Sequence, residues 1–227
     1  ATNDGGVGML QALGFKFLDF SGSELSRGGA ALRDLKSIDR SHAIAELSDC
    51  VFKIACDVTN PLLGPSGASA VYGPQKGATP EMVAELDEAL KVYSSVAGGD
   101  ANFPGAGAAG GLGFAFKTFL GGELKSGVQI VLEETGFEDR VRDADIVVTG
   151  EGRLDEQTVM GKAPIGVARI AKKYGKKVIA FSGCVTDGAK KVNEHGIDAF
   201  FPILRSVVTL DEALDRRNAA KNLTDTT

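Results

Sequence analysis

The chain has no tryptophan, only two histidines and only three cysteines. Cys50, Cys56 and Cys184 are odd in number and show no C-x-x-C spacing, which excludes a disulfide framework and a cysteine zinc site and leads us to expect reduced thiols in a cytoplasmic setting. His195 stands immediately before Gly196, at what reads as a helix C-terminus, where a histidine commonly serves the last turn, so no catalytic role is expected of it. No apolar run reaches the length of a membrane span and the amino terminus lacks the pattern of a signal peptide, so no membrane partner is expected. There is no basic run and no aromatic ladder. With a net charge of −5, that argues against a nucleic-acid surface.

What is present is glycine, 30 residues of it, gathered in loops where backbone must turn sharply or approach something closely. The 227 residues and a hydrophobic content of 43% allow a sizeable core in one large or two small domains.

The stretch Ala144–Gly166 organises the chain. Ile146-Val147-Val148 is a β-branched run that reads as a buried strand ending near Thr149. A polar loop is expected next, with Gly150, Gly152, Glu151, Arg153, Asp155 and Glu156, and then a helix opened by Pro164 behind Gly161-Lys162. Strand, charged glycine loop and helix is the layout of a ligand site at the carboxyl end of a parallel strand. The helix start offers N–H groups to an anion and the carboxylates offer oxygens to Mg²⁺. It is not a P-loop, because Ala163 stands where a Ser or Thr should follow the lysine. The competing reading is an ordinary connection with solvated acids, and the local sequence does not separate the two.

A second constellation lies upstream. Residues 51–58 read as a strand with Asp57 at its carboxyl end, followed by the turn Thr59-Asn60-Pro61 and two glycine-proline loops, the second carrying Lys76. Thr79-Pro80-Glu81 starts an amphipathic helix with Val83, Leu86, Leu90 and Tyr93 inward. That helix decays into residues 97–100, the expected linker between a first domain, 1–100, and a second, 101–227. Gly105-Ala-Gly-Ala-Ala-Gly-Gly-Leu-Gly113 contains G-x-G-x-x-G but lacks the preceding strand and the later acid of a dinucleotide site. It reads as a tight glycine loop entering a helix, serving either to cradle phosphate or to allow close packing. From Val128 onward helices and strands alternate, with strands at 145–149, 177–182 and 198–203 and helices at 128–135, 164–174, 187–195 and 210–222, a pattern that implies a parallel α/β sheet.

Five motifs occurring in this order, Ala1-Thr-Asn-Asp-Gly-Gly6, Ala55-Cys-Asp-Val-Thr-Asn-Pro-Leu62, Gly73-Pro-Gln-Lys-Gly-Ala78, the 105–113 glycine loop and Thr149-Gly-Glu-Gly-Arg-Leu-Asp-Glu-Gln-Thr158, resemble the bacterial glycerate kinase family, the first of its two unrelated types. The resemblance implies two α/β domains with mainly parallel sheets and ATP-dependent phosphorylation of D-glycerate. It also implies a portion ahead of the first motif, so the first domain is expected to be incomplete. An unpaired sheet edge would then favour a homo-oligomer, and these residues alone are expected not to turn over glycerate.

For the reaction, Asp57 and Asp155 are expected to face one cleft and to act as base and metal ligand in an order left open, with Glu151 as a further metal ligand. Lys76 and Lys162 would neutralise the phosphates of ATP beside Gly105, Gly107, Gly150 and Gly152. Arg153 suits the substrate carboxylate through paired hydrogen bonds, and Asn3, Asp4 and Asn60 would contribute to substrate binding. The alternatives are a non-catalytic remnant or binding subunit of that family and another nucleotide-dependent α/β enzyme.

Overall fold

The computed structural model describes residues 2–227; Ala1, the first residue of the opening motif, lies outside them. The chain is an α/β protein whose sheets are mainly parallel, and it divides into two compact units, Ala1–Gly127 and Val128–Thr227.

The first unit runs α1 (Val7–Ala12), β1 (Lys16–Leu18), β2 (Ser37–Asp39), β3 (Lys53–Ala55), α2 (Ala68–Tyr72), α3 (Pro80–Ala97), α4 (Ala108–Leu120) and β4 (Glu123–Lys125). β1 and β2 pair antiparallel, and β3 and β4 pair parallel with Ile54 opposite Leu124. The strand expected over 51–58 is therefore short. It has a single partner of three residues, and its last ladder bond is Cys56 N–H to the Lys125 carbonyl before the chain turns at Asn60-Pro61. β4 lies in a stretch where no strand is expected from the sequence. Its pairing with β3 is why the unit boundary falls at Gly127 rather than at a linker near residue 100.

α3 begins as its sequence dictates. The Thr79 hydroxyl accepts from the Met82 amide at 3.3 Å, Pro80 occupies the first turn, and Gly98 ends the helix in a left-handed conformation. It buries Leu90 and Tyr93 into a core with Leu10, Phe17, Leu32, Leu62 and Phe114. Tyr93 stacks on Phe119 and meets Phe114 edge-on, with ring centroids 6.1 and 5.2 Å away.

The second unit runs α5 (Gly127–Glu134, its first residue at the boundary), α6 (Phe137–Arg142), β5 (Ile146–Leu154), α7 (Ala163–Lys173), β6 (Lys177–Val185), β7 (Ala199–Pro202), α8 (Leu210–Leu214) and α9 (Arg216–Thr224). The sheet is parallel in the order β5-β6-β7. Ile165, Ala168 and Ala171 recur at helical spacing on α7 and pack with Val147, Leu154, Val178 and Ala180 of the sheet and with Val192 and Ile197. The helix expected over 210–222 is two helices. Asp215 is extended, and its carboxylate caps the second by accepting from the amides of Arg217 and Asn218.

The main correction concerns Gly150–Leu154, which is strand and not loop. It stays paired with β6, Arg153 opposite Cys184 and Leu154 opposite Val185. Glycine makes this approach feasible, since a Cβ at Gly150 would stand 2.4 Å from the Phe181 carbonyl oxygen and one at Gly183 2.4 Å from that of Gly152.

Candidate active site

In the second unit the continued strand delivers its charges to one place. Asp155 follows β5 directly and N-caps the 3-10 helix Glu156–Met160. Its Oδ1 accepts from the Gln157 amide at 2.9 Å and from Lys162 Nζ at 3.2 Å, and its Oδ2 accepts from Arg153 Nε at 3.1 Å. The side chain is only 12% exposed. Burial alone would raise its pKa. The hydrogen bond and charge of Lys162, the Gln157 N–H and the charge of Arg153 outweigh burial and hold the group below the usual carboxylate range. The structure thus brings Asp155, Arg153 and Lys162 together, an ionised carboxylate between two cations. Each cation keeps N–H donors beyond the one it gives to Asp155.

Arg153 and Asp155 border an open cleft of ≈ 720 Å³ with Met160, Thr186, Gly188 and Lys191. Lys191 pairs with Glu156 across it, and Gly188 sits so close to Glu156 that a Cβ there would be 2.9 Å from the glutamate Cβ. Glu151 borders a second, more apolar cleft of ≈ 370 Å³ with Val148, Gly150 and Phe181. Its Oε1 accepts from the Thr158 hydroxyl at 2.5 Å. Gly150 lies within the strand ladder and Gly152 in the strand itself, so both build the sheet on which the charged side chains stand.

In the first unit Asn3, Asp4 and Lys76 are also brought together, by the backbone. Asp4 is buried and caps the start of α1, accepting from the amides of Gly6 and Gly8 at 3.1 and 3.0 Å. Asn3 donates to the hydroxyl of buried Ser69 at 2.8 Å, and its Oδ1 is buried with no hydrogen-bond partner among the described residues. Lys76 Nζ donates to the Thr2 carbonyl at 2.6 Å. Burial lowers its pKa, partly offset by the charge of Asp4. Ala109, Gly110 and Gly111, three successive left-handed residues, pass beneath this group, and a Cβ on Gly110 would stand 2.3 Å from the Thr2 oxygen.

Asn60 and Asp57 hold loops. Asn60 donates to the Ser66 carbonyl and accepts from the Tyr72 hydroxyl, while Asp57 Oδ1 accepts from the Gly127 amide at 3.0 Å. Gly105 and Gly107 are buried, a Cβ on Gly107 would stand 2.2 Å from the Pro61 oxygen, and the Gly107 amide already donates to the Asn60 carbonyl. Close packing is what these two glycines do here; the Gly107 amide is not free to cradle phosphate. Asp57 belongs to the first unit and Asp155 to the second.

Among the described residues no group of three His, Cys, Asp or Glu side chains is arranged to hold a metal ion. A Mg²⁺ carried by nucleotide phosphates needs only one or two protein carboxylates; Asp155 and Glu151 border different clefts. No helix among the described residues is long and apolar enough to cross a membrane. Sequence reasoning missed Thr158, Ser69 and Lys191. Thr158 alone had a readable signal, the D-x-x-T spacing from Asp155 that permits a reciprocal helix cap.

Comparison with known proteins places these residues in context. The family model described as the glycerate kinase family matches residues 1–227. The chain is 51% identical to an Escherichia coli protein named glycerate 2-kinase, over 98% of this chain and 59% of that one. It is 50% identical to a Bacillus subtilis glycerate kinase, over 95% and 58%. A crystal structure from Salmonella typhimurium, described as that of a glycerate kinase 2 candidate, superposes with a TM-score of 0.81 at 46% identity, covering 99% of this chain and 61% of the other. The chain therefore spans about six-tenths of the length of the relatives it matches.

Proposed function

The chain belongs to the glycerate kinase family, and from that premise we propose that it serves phosphoryl transfer from ATP to D-glycerate, yielding a phosphoglycerate. The relative named glycerate 2-kinase favours the 2-hydroxyl as acceptor. The observation that carries this reading is Asp155, a buried, ionised carboxylate gripped by Arg153 and Lys162 at the rim of an open cleft.

Phosphoryl transfer asks little covalent chemistry of a protein; it asks for positioning and charge neutralisation. Lys162 is placed to neutralise phosphate oxygens with the N–H donors it does not give to Asp155. Arg153 has guanidinium donors left for the glycerate carboxylate, which a planar fork can hold through two parallel bonds. Asp155 fixes both cations and presents its carboxylate where the acceptor hydroxyl must lose a proton or the metal must sit. Bound Mg²⁺ would spread the negative charge of the transferring group, and Asp155, which borders the same cleft as Arg153, would be its protein ligand, with Glu151 as the alternative. Asp57 is the second candidate acid, and kinetics of the two asparagine variants, Asp57→Asn and Asp155→Asn, assign which of the two accepts the proton. Asn3, Asp4 and Lys76 are assigned to shaping the substrate side, because their bonds hold the first motif against the left-handed turn.

The test is a coupled assay with ATP, Mg²⁺ and D-glycerate on the full-length protein. Asp155→Asn is expected to lower kcat on the order of 10²- to 10³-fold, as removal of a preorganised electrostatic group does, with the circular dichroism spectrum unchanged. The Asp155 acid limb should lie below the usual carboxylate range, because burial, which would raise its pKa, is outweighed by the hydrogen bond and charge of Lys162. An unchanged kcat would remove Asp155 from the machinery.

A further inference from the structure

We infer that Thr158 is a positioning residue, whose single buried hydroxyl locks the Glu151 carboxylate to the turn that carries Asp155. The inference rests on the reading of Asp155 and Glu151 as site acids. Thr158 is fully buried in the 3-10 helix Glu156–Met160. Its Oγ accepts from the Asp155 amide at 3.1 Å and donates to Glu151 Oε1 at 2.5 Å. A hydroxyl has one proton. With a backbone N–H pointing into its lone pair, the Thr158 proton goes to Glu151, and the carboxylate is met in its acceptor form.

The first of these bonds completes a reciprocal helix cap with Asp155, which explains a Ser or Thr at this position. The second adds nothing to a cap. It reaches back seven residues to a side chain on β5 that borders the ≈ 370 Å³ cleft, whereas Asp155 borders the ≈ 720 Å³ cleft. The hydroxyl therefore stands between the two acids and sets where one lies relative to the other. Strand pairing fixes only the backbone of Glu151. A glutamate side chain has three rotatable bonds, and this contact removes their freedom, as a supporting shell must do if a site is to be held to a fraction of an ångström.

The experiment is a double-mutant cycle on the full-length protein with ATP, Mg²⁺ and D-glycerate, using Thr158→Val, Thr158→Ser, Glu151→Gln, the pair Glu151→Gln with Thr158→Val, and Asp155→Asn as a separate arm. Thr158→Val keeps the shape and removes the hydroxyl. It should lower kcat on the order of 10²-fold, the cost of about 1 Å of misplacement, while both KM values stay within about threefold. Thr158→Ser should restore kcat to within about threefold of the parent. In the Glu151→Gln background, Thr158→Val should cost at least about tenfold less in kcat than in the parent, the remainder being the lost cap at Asp155. Equal losses in both backgrounds, a serine variant as slow as the valine variant, or a Glu151→Gln variant with undiminished kcat would each overturn the inference. Should Thr158→Val fail to fold, Thr158→Ala takes its place in the same cycle, and Glu151→Gln, which leaves the Asp155–Thr158 cap intact, must still lower kcat. The Asp155→Asn arm reports on the site itself, so its failure is distinguishable from that of the positioning role.

Discussion

The two units differ in where backbone is pressed against backbone: between loops and helices in the first, within the strand ladder in the second. The first presses backbone against backbone. A Cβ on Gly113 would stand 2.0 Å from the Gly105 oxygen, one on Gly29 2.2 Å from the Asn3 oxygen, and one on Gly111 2.6 Å from the Gly5 Cα. The second lays aliphatic side chains of a helix on a sheet; its close backbone approaches, at Gly150 and Gly183, lie within the strand ladder, and Gly136, Gly161 and Gly175 face open space. The consequence reaches the candidate site residues. In the first unit Asn3, Asp4 and Asn60 spend hydrogen bonds on holding loops in place. In the second the backbone is already held by the ladder, which leaves Arg153, Asp155 and Lys162 to organise one another at a cleft. Even there Asp155 caps the Gln157 amide and Thr158 takes the Asp155 amide, so the site's side chains serve the backbone and one another at once.

That contrast can be broken most directly at a glycine. Gly113→Ala should destabilise the first unit by about 3 kcal/mol or more, since the new methyl meets a buried carbonyl that cannot move without unpacking α4. Hydrogen exchange should then show lost protection in α3 and α4 with β5 and β6 unaffected. Equal loss in both halves would mean that the units do not unfold separately.

A smaller effect sharpens the electrostatic side. Asp198 accepts from the Val178 amide at 2.7 Å and from Lys172 Nζ at 2.5 Å, tying β6 to the segment before β7. The Lys172 hydrogen bond first, then the Val178 N–H, hold its pKa down at about 2. A depressed carboxylate stabilises the fold above its unfolded pKa, near 4, and that stability is lost as pH falls from there toward 2. Asp198→Asn should therefore cost roughly 1 kcal/mol at neutral pH, the side chain being part-exposed. The cost should shrink toward zero near pH 2 in urea titrations. A difference that does not vary with pH would assign the effect to lost hydrogen bonding alone.

The smallest expected effect is at Gly175, which ends α7 in a left-handed conformation with φ +65° and no neighbour where a Cβ would stand. Gly175→Ala should cost only about 1 kcal/mol, the intrinsic price of that conformation for an L-residue. A loss as large as that from Gly113→Ala would erase the distinction between glycine used for approach and glycine used for a turn.

Local signals in the sequence were sufficient wherever structure is local. The α3 start at Thr79-Pro80-Glu81, the apolar spacing along α7 and the alternation after Val128 each state their element, because capping, helical period and β-branching act within a few residues. The cluster of charges behind Val148 stands out in the sequence, but local sequence does not separate a site there from an ordinary connection. The tertiary structure decided three things that neighbours in sequence do not encode. Pairing with β6 turned Gly150–Leu154 from an expected loop into strand, because hydrogen bonds to a partner 31 residues along outweigh the loop preference of glycine and charge. Pairing of β3 with β4 moved residues 101–127 into the first unit. Burial then sorted the polar residues. It enclosed Gly107 against the Pro61 carbonyl, left Arg153 exposed beside a shielded Asp155, and let the Thr158 hydroxyl tie the Glu151 carboxylate to the Asp155 backbone. Composition and spacing set which residues could do chemistry, and the approach of distant backbone, whose hydrogen bonds must all be satisfied, set which were left free to do it.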